Sequence, residues 1–216
     1  ALDPDGVASL TLEYRVDPSA VYTAVQMQDD GYGCDALSGD GVYSASIPGQ
    51  KSGVITPFRV SAVDSSTIPE VTWFPSEEFL RNALIRFGES TPSGLLGTYI
   101  IWMSDTNVLE LTTRNPQGNQ LSDITFVYEN YRAIYNAGLR FRGNGRGGNY
   151  QVNKYAGVFP NSERLLGNNE FRIDKPLQTG PFGKSELEEQ HAYWIAREAG
   201  MAASYLRFVL TRVNGS

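Results

Sequence analysis

One cysteine, Cys34, and one histidine, His191, stand among 216 residues. A single thiol excludes an intrachain disulfide. A single imidazole with no cysteine cluster speaks against a zinc site, and it leaves a Ser-His-Asp triad resting on one side chain. No run of about 18 apolar residues occurs, so nothing reads as a membrane-spanning helix. The opening residues Ala1-Leu2-Asp3-Pro4-Asp5 lack the basic start and apolar stretch of a signal peptide, and any export signal is expected to have been removed. A basic footprint is missing too. Residues 1–80 carry 3 basic and 12 acidic side chains, a balance of −9, and residues 81–216 carry 15 and 12, a balance of +3, for a net charge of −6. A phosphate backbone demands the opposite, so nucleic acid is not an expected partner.

What is present is ample material for hydrophobic cores: 41% of residues are hydrophobic and 12% aromatic. Leu10, Leu12, Tyr14 and Val16 alternate with polar positions, and Phe58, Val60 and Ala62 repeat the pattern between Gly, Pro and Asp turns. That grammar predicts an all-β, Ig-like sandwich over residues 1–75. Ser76, as an N-cap before Glu77 and Glu78, predicts a short helix to Arg86. With the stretch from Gly88 to Gly97, it makes residues 76–96 a helix and linker. Residues 97–216 mix periods. Strands are expected at Tyr99–Trp102, Ile124–Val127, Ile134–Phe141 and Tyr205–Val213, and a helix at Ser185–Ala199, with Ser185 and Glu188 in capping-box spacing and Gly200 as its stop. That helix carries Leu187, His191, Trp194 and Ile195 on one face, a stripe expected to pack on a sheet. His191 therefore reads as a core or interface residue, and Trp73, Trp102 and Trp194 as core. The second region is expected to be α+β.

Two constellations could carry chemistry. The turn from Asp29 to Tyr43 holds Asp29, Asp30, Asp35 and Asp40 among four glycines. Short carboxylates on a tight backbone can converge on a hard cation such as Ca2+, which takes six to eight oxygens. The alternative is plain turn chemistry, with Asp and Gly supplying Asx hydrogen bonds, and the spacing is not that of an EF-hand. The second constellation is Arg140-Phe141-Arg142-Gly143-Asn144-Gly145-Arg146. On a strand, Arg140 and Arg142 share a face, and the glycines free backbone N–H groups for an anion such as phosphate. A solvated arginine pair before a flexible loop is the alternative.

Several segments occur in a telling order: Asp123 to Tyr128, Arg132 to Gly143, Phe159-Pro160, Leu165-Leu166-Gly167, Glu189 to Ala196, and Val213-Asn214-Gly215. In this order they resemble the spore-coat protein H (CotH) kinase-like family. Tyr14-Arg15-Val16, the aspartate turn and Ile47-Pro48-Gly49-Gln50 look like the β-sandwich module often found before that domain in large bacterial secreted or surface proteins. The resemblance implies the N-terminal portion of an atypical Ser/Thr kinase-like fold binding Mg-ATP. Arg140, Arg142, Lys154 and Glu189 would then lie on the nucleotide side, Glu189 as the helix glutamate that pairs with a lysine. The aspartates that hold metal and orient the acceptor hydroxyl would come later than Ser216. The chain is thus expected to be a fragment of an extracellular or cell-surface protein, without transferase activity as given, whose partner is a protein or the remainder of a longer chain. The alternative is a non-catalytic extracellular module, complete at this length, for binding or self-association.

Overall fold

The computed structural model describes residues 3–75, 82–90, 94, 96–115, 117–129, 131–142, 154–174 and 186–215. Their elements are β1 (Val7–Tyr14), β2 (Thr23–Gln26), β3 (Ile55–Asp64), β4 (Val71–Phe74), β5 (Ala83–Arg86), β6 (Gly97–Trp102), α1 (Asp105–Thr113), β7 (Ser122–Tyr128), β8 (Arg132–Phe141), β9 (Tyr155–Val158), β10 (Glu170–Ile173), α2 (Glu186–Glu198) and β11 (Val209–Val213).

The alternation in the first region produces an antiparallel sheet in the order β2-β1-β3-β4. Leu10 faces Ala62, Leu12 faces Val60 and Tyr14 faces Phe58, which gathers one apolar face. On the other face Glu13 lies directly opposite Arg59 and pairs with it, while the Arg59 guanidinium stacks 4.7 Å from the rings of both Tyr22 and Trp73. β3 is long enough to take two short neighbours end to end on one edge, β5 against Ile55–Phe58 and β4 against Val60–Val63.

The second sheet runs β10-β9-β8-β7-β6-β11, with all pairs antiparallel except β11 on β6. Its central strands β6 and β7 are buried along most of their length on both faces, although β7 carries Ser122, Asp123 and Thr125. Ile124, Phe126 and Tyr128 join Ile101, Ile134, Leu139 and Phe159 in the core, packed with Leu111 of α1. Ser104 caps α1 by accepting from the Asn107 amide. The alternate residues of β7 point the other way, toward β5: the Leu84 amide donates to Thr125 Oγ1 at 2.9 Å and the Asn82 amide to Asp123 Oδ2 at 2.6 Å. Phe58 and Phe74 of the first sheet meet Tyr135 edge to face beside this contact. At the far edge of the sheet, Gly157 lets the Phe171 ring lie against the β9 backbone, where it stacks on Phe159.

Several expectations are corrected. The second region is not an α+β kinase-like lobe. Among the described residues, strands dominate both sheets and the only helices are α1 and α2. Residues 83–86, expected in a helix, form β5, because their apolar side chains are buried between two sheets and their backbone extends β3's edge. The first region is all-β, but among the described residues it contributes one sheet. The described part of the α2 stripe does not cover a sheet: Trp194 is 53% and Ile195 58% exposed, and His191 is exposed with them, so the core reading of Trp194 and His191 falls; the Leu187 side chain lies outside the described residues. Trp73 and Trp102 are half-buried. The last strand starts at Val209 rather than Tyr205. Residues 76–81 and Ser185 lie outside the described residues.

Two substitutions test this packing. Thr125→Val preserves shape but leaves the buried Leu84 amide without its acceptor, and urea unfolding should show a loss of about 1–3 kcal/mol; unchanged stability would refute the docking role of this bond. Gly157→Ala would place a Cβ 2.0 Å from the Phe171 ring, and the forced shift should destabilise by about 1–3 kcal/mol in the same assay.

Candidate functional site

The aspartate turn links β2 to β3 and folds back on itself. Gly31 has φ +77°, and a Cβ there would lie 3.0 Å from the Ser38 amide nitrogen, so glycine is what permits the two arms to touch. Asp29 is the hub of the turn. Its Oδ1 accepts from the amides of Gly39 (2.6 Å) and Asp40 (3.2 Å), and its Oδ2 from Gly41 (2.9 Å). Asp40 Oδ1 accepts from the Val42 amide at 2.9 Å, a plain Asx turn.

Asp35 differs from the rest. It is only 6% exposed; Oδ2 accepts from the Gly31 amide at 2.6 Å, and buried Oδ1 has no hydrogen-bond partner. A buried carboxylate oxygen without a partner carries a desolvation cost that a native structure ordinarily meets with a donor, a water or an ion. One oxygen from each of Asp29, Asp35 and Asp40 lies within 4.8 Å of the others. Three like charges so close repel by about 1 kcal/mol per pair even at the dielectric of water. A separation up to 4.8 Å is what three oxygens around one cation at about 2.4 Å would show. Asp30, the fourth expected ligand, is not in this group; its Oδ1 accepts from the Tyr32 amide. Cys34 is exposed, with its Sγ 2.8 Å from Ser46 Oγ.

The second expected site is also partly assembled. β8 and β9 bring Arg142 beside Lys154, whose backbones are joined by the Arg142 amide donating to the Lys154 carbonyl. Both side chains turn to one carboxylate, Asp174: Arg142 donates to its Oδ2 and Lys154 Nζ lies 3.4 Å from Oδ1. Arg140 Nη1 donates weakly to the Phe141 carbonyl at 3.4 Å. The glycine-rich loop 143–153 lies outside the described residues, as does the side chain of Glu189, although its backbone belongs to α2. Asp174 was not anticipated. Its signal was available in the polar-apolar alternation of Glu170-Phe171-Arg172-Ile173-Asp174, which reads as a strand.

Between the sheets lies a cavity of about 230 Å³ lined by Arg15, Asn82, Ser104, Asn107 and Asp123 among others. Its groups answer one another. Arg15 bonds Asp17, Tyr22 donates to Asn82, and Asn107 donates to the Asp123 carbonyl. Burial works against the Arg15 charge, yet hydrogen bonds to Asp17 and Tyr22 leave its pKa above the ordinary value. Asp17 also accepts from the Asp105 amide at the start of α1. The cavity is a structural seam. The other perturbed cation, Arg207, has its pKa pushed up by hydrogen bonds to Glu129 and Tyr128, which fasten the approach to β11 onto the end of β7.

No family model matches this chain, and no curated protein matches it as a relative. The likeness to the CotH kinase-like family therefore rests on the quoted sequence motifs alone. No helix among the described residues is long and apolar enough to cross a membrane.

Proposed function

We propose that this chain is a non-catalytic binding or assembly module of an extracellular or cell-surface protein, with its β2–β3 turn organised by calcium. The observation that carries the reading is the buried, partnerless Oδ1 of Asp35 beside the carboxylates of Asp29 and Asp40. Oxygen ligands alone favour a hard cation. Ca2+ tolerates the irregular set of oxygens that a turn supplies, whereas Mg2+ requires near-ideal octahedral geometry.

The donor set also indicates the strength of binding. Asp29 already receives three amides, so it contributes one remaining lone pair and serves chiefly to hold the cradle. Asp35 and Asp40 supply the freer oxygens, and water would complete the shell. Few protein ligands give weak affinity, in the range of about 10⁻⁴–10⁻³ M typical of extracellular calcium modules. The non-catalytic part of the reading is supported by the cationic cluster, where Arg142 and Lys154, expected on the nucleotide side, are engaged by the chain's own Asp174.

Thermal unfolding against CaCl2 tests the proposal. At a calcium concentration 100 times the Kd, the native chain should gain about 2.7 kcal/mol, with a smaller gain in MgCl2. Asp35→Asn should lose the calcium-dependent gain while folding normally in its absence, because the buried oxygen keeps its place without its charge. A native melting temperature indifferent to calcium would sink the reading.

A further inference from the structure

The strand register aligns basic residues that are far apart in the sequence. Arg140 of β8 and Arg172 of β10 both pair with Ala156 of the intervening β9, so the three form one cross-strand row. Residues directly paired across strands point to the same face. Two positions along lies a second row on that face, Arg142, Lys154 and Asp174, joined by the contacts described above. Two positions the other way lies Gly138, Val158 and Glu170. The opposite face of the same strands carries Leu139, Phe141, Tyr155, Phe171 and Ile173 and belongs to the core. The outward face thus holds four cations against two carboxylates, in a chain whose net charge is −6.

Asp174 engages Arg142 and Lys154, whereas no carboxylate partner is recorded for Arg140 or Arg172 among the described residues. The small Ala156 side chain between them leaves the row low at its centre. Strand spacing puts the two guanidinium-bearing residues about 10 Å apart, with the second row about 7 Å further along. At that separation the two guanidinium charges repel only weakly in water. They are compensated when an anion lies over them.

We propose that this face of β8, β9 and β10 binds an acidic polysaccharide, its carboxylates or sulfates lying over Arg140 and Arg172 and competing with Asp174 for Arg142 and Lys154. Charge complementarity selects a polyanion. The three rows contain no aromatic side chain, so they offer no stacking platform for nucleic-acid bases. They also offer no apolar pocket for the side chains of an acidic peptide or the base of a nucleotide. A flat array of guanidinium and ammonium donors suits a polymer read by its charged groups alone.

The test uses the full chain with dextran sulfate and polygalacturonate as probes, neutral dextran as the blank, and poly-glutamate and Mg-ATP as competitors, without added calcium. Both acidic polysaccharides should bind and release as salt rises. Arg140→Gln with Arg172→Gln should weaken binding about ten-fold, as expected for lost charge-to-charge contacts, with an unchanged melting temperature. Lys51→Gln removes a cation from the exposed turn before β3 and should leave binding unaltered. If Lys51→Gln weakens it as much as Arg172→Gln alone, attraction is non-specific and the proposal is overturned. Equal or tighter competition by poly-glutamate would assign the face to an acidic protein, and by Mg-ATP to a nucleotide; either result also overturns it. Arg172 is exposed on an edge strand, so its single substitution keeps the test valid if the double variant fails to fold. The face belongs to the second sheet, and its outcome is independent of the calcium loop in the first.

Discussion

Two backbone amides, one just before β5 and one within it, hold the two sheets in register with each other. Asn82 and Leu84, two residues apart, present their amides to Asp123 and Thr125, also two apart on β7. Matching periodicity makes this possible, because amides on one side of a strand recur at the same spacing as side chains on one face of another. Each bond is buried or half-buried, so each amide would otherwise be stranded away from water. β5 therefore belongs to the first sheet by its pairing with β3 and to the second by its docking. The cavity lined by Arg15 and Asn82, the bond from the Asp105 amide of α1 to Asp17 and the edge-to-face packing of Tyr135 all gather at this seam. The first sheet consequently covers the outward face of the second only near its middle. Among the described residues, the basic rows of β8, β9 and β10 lie outside that contact, with Arg140, Arg142 and Lys154 half-buried and Arg172 exposed.

The two clusters of charge resolve a similar problem in opposite ways. In the aspartate turn, backbone amides converge on Asp29 and tie the turn together, and Asp35 is left buried with one oxygen unanswered. The demand there is for a cation. At the edge of the second sheet, cations outnumber carboxylates and Asp174 answers two of them. The demand there is for an anion. Both follow from where the fold places charged side chains relative to the backbone amides and to one another.

The turn was legible in the sequence as a candidate cation site because its ligands are local. Asp29, Asp35 and Asp40 fall within twelve residues, and glycines between them signal a backbone able to fold tightly. Which aspartates converge was not legible. Asp30 and Asp35 are chemically equivalent in the sequence, and only the fold turns one to the Tyr32 amide and buries the other. Arg140 and Arg142 were legible as a pair on one strand face before a glycine-rich loop, and Lys154 only through the resemblance to the CotH kinase-like family. Arg172 and Asp174 were missed because their relation to the others exists only across strands.

By itself the sequence determined the strands at 99–102, 124–127 and 134–141, the all-β character of the first region and the acidic turn. Each is written in a local period or a local composition, which a short segment carries alone. Tertiary structure alone decided that residues 83–86 become a strand, that Trp194 and Ile195 of α2 lie exposed, and that Arg140 and Arg172 share a row. An apolar segment states that it needs a partner without stating which one. The choice between helix and strand, and between core and surface, then falls to whichever distant edge or face can satisfy its amides and side chains.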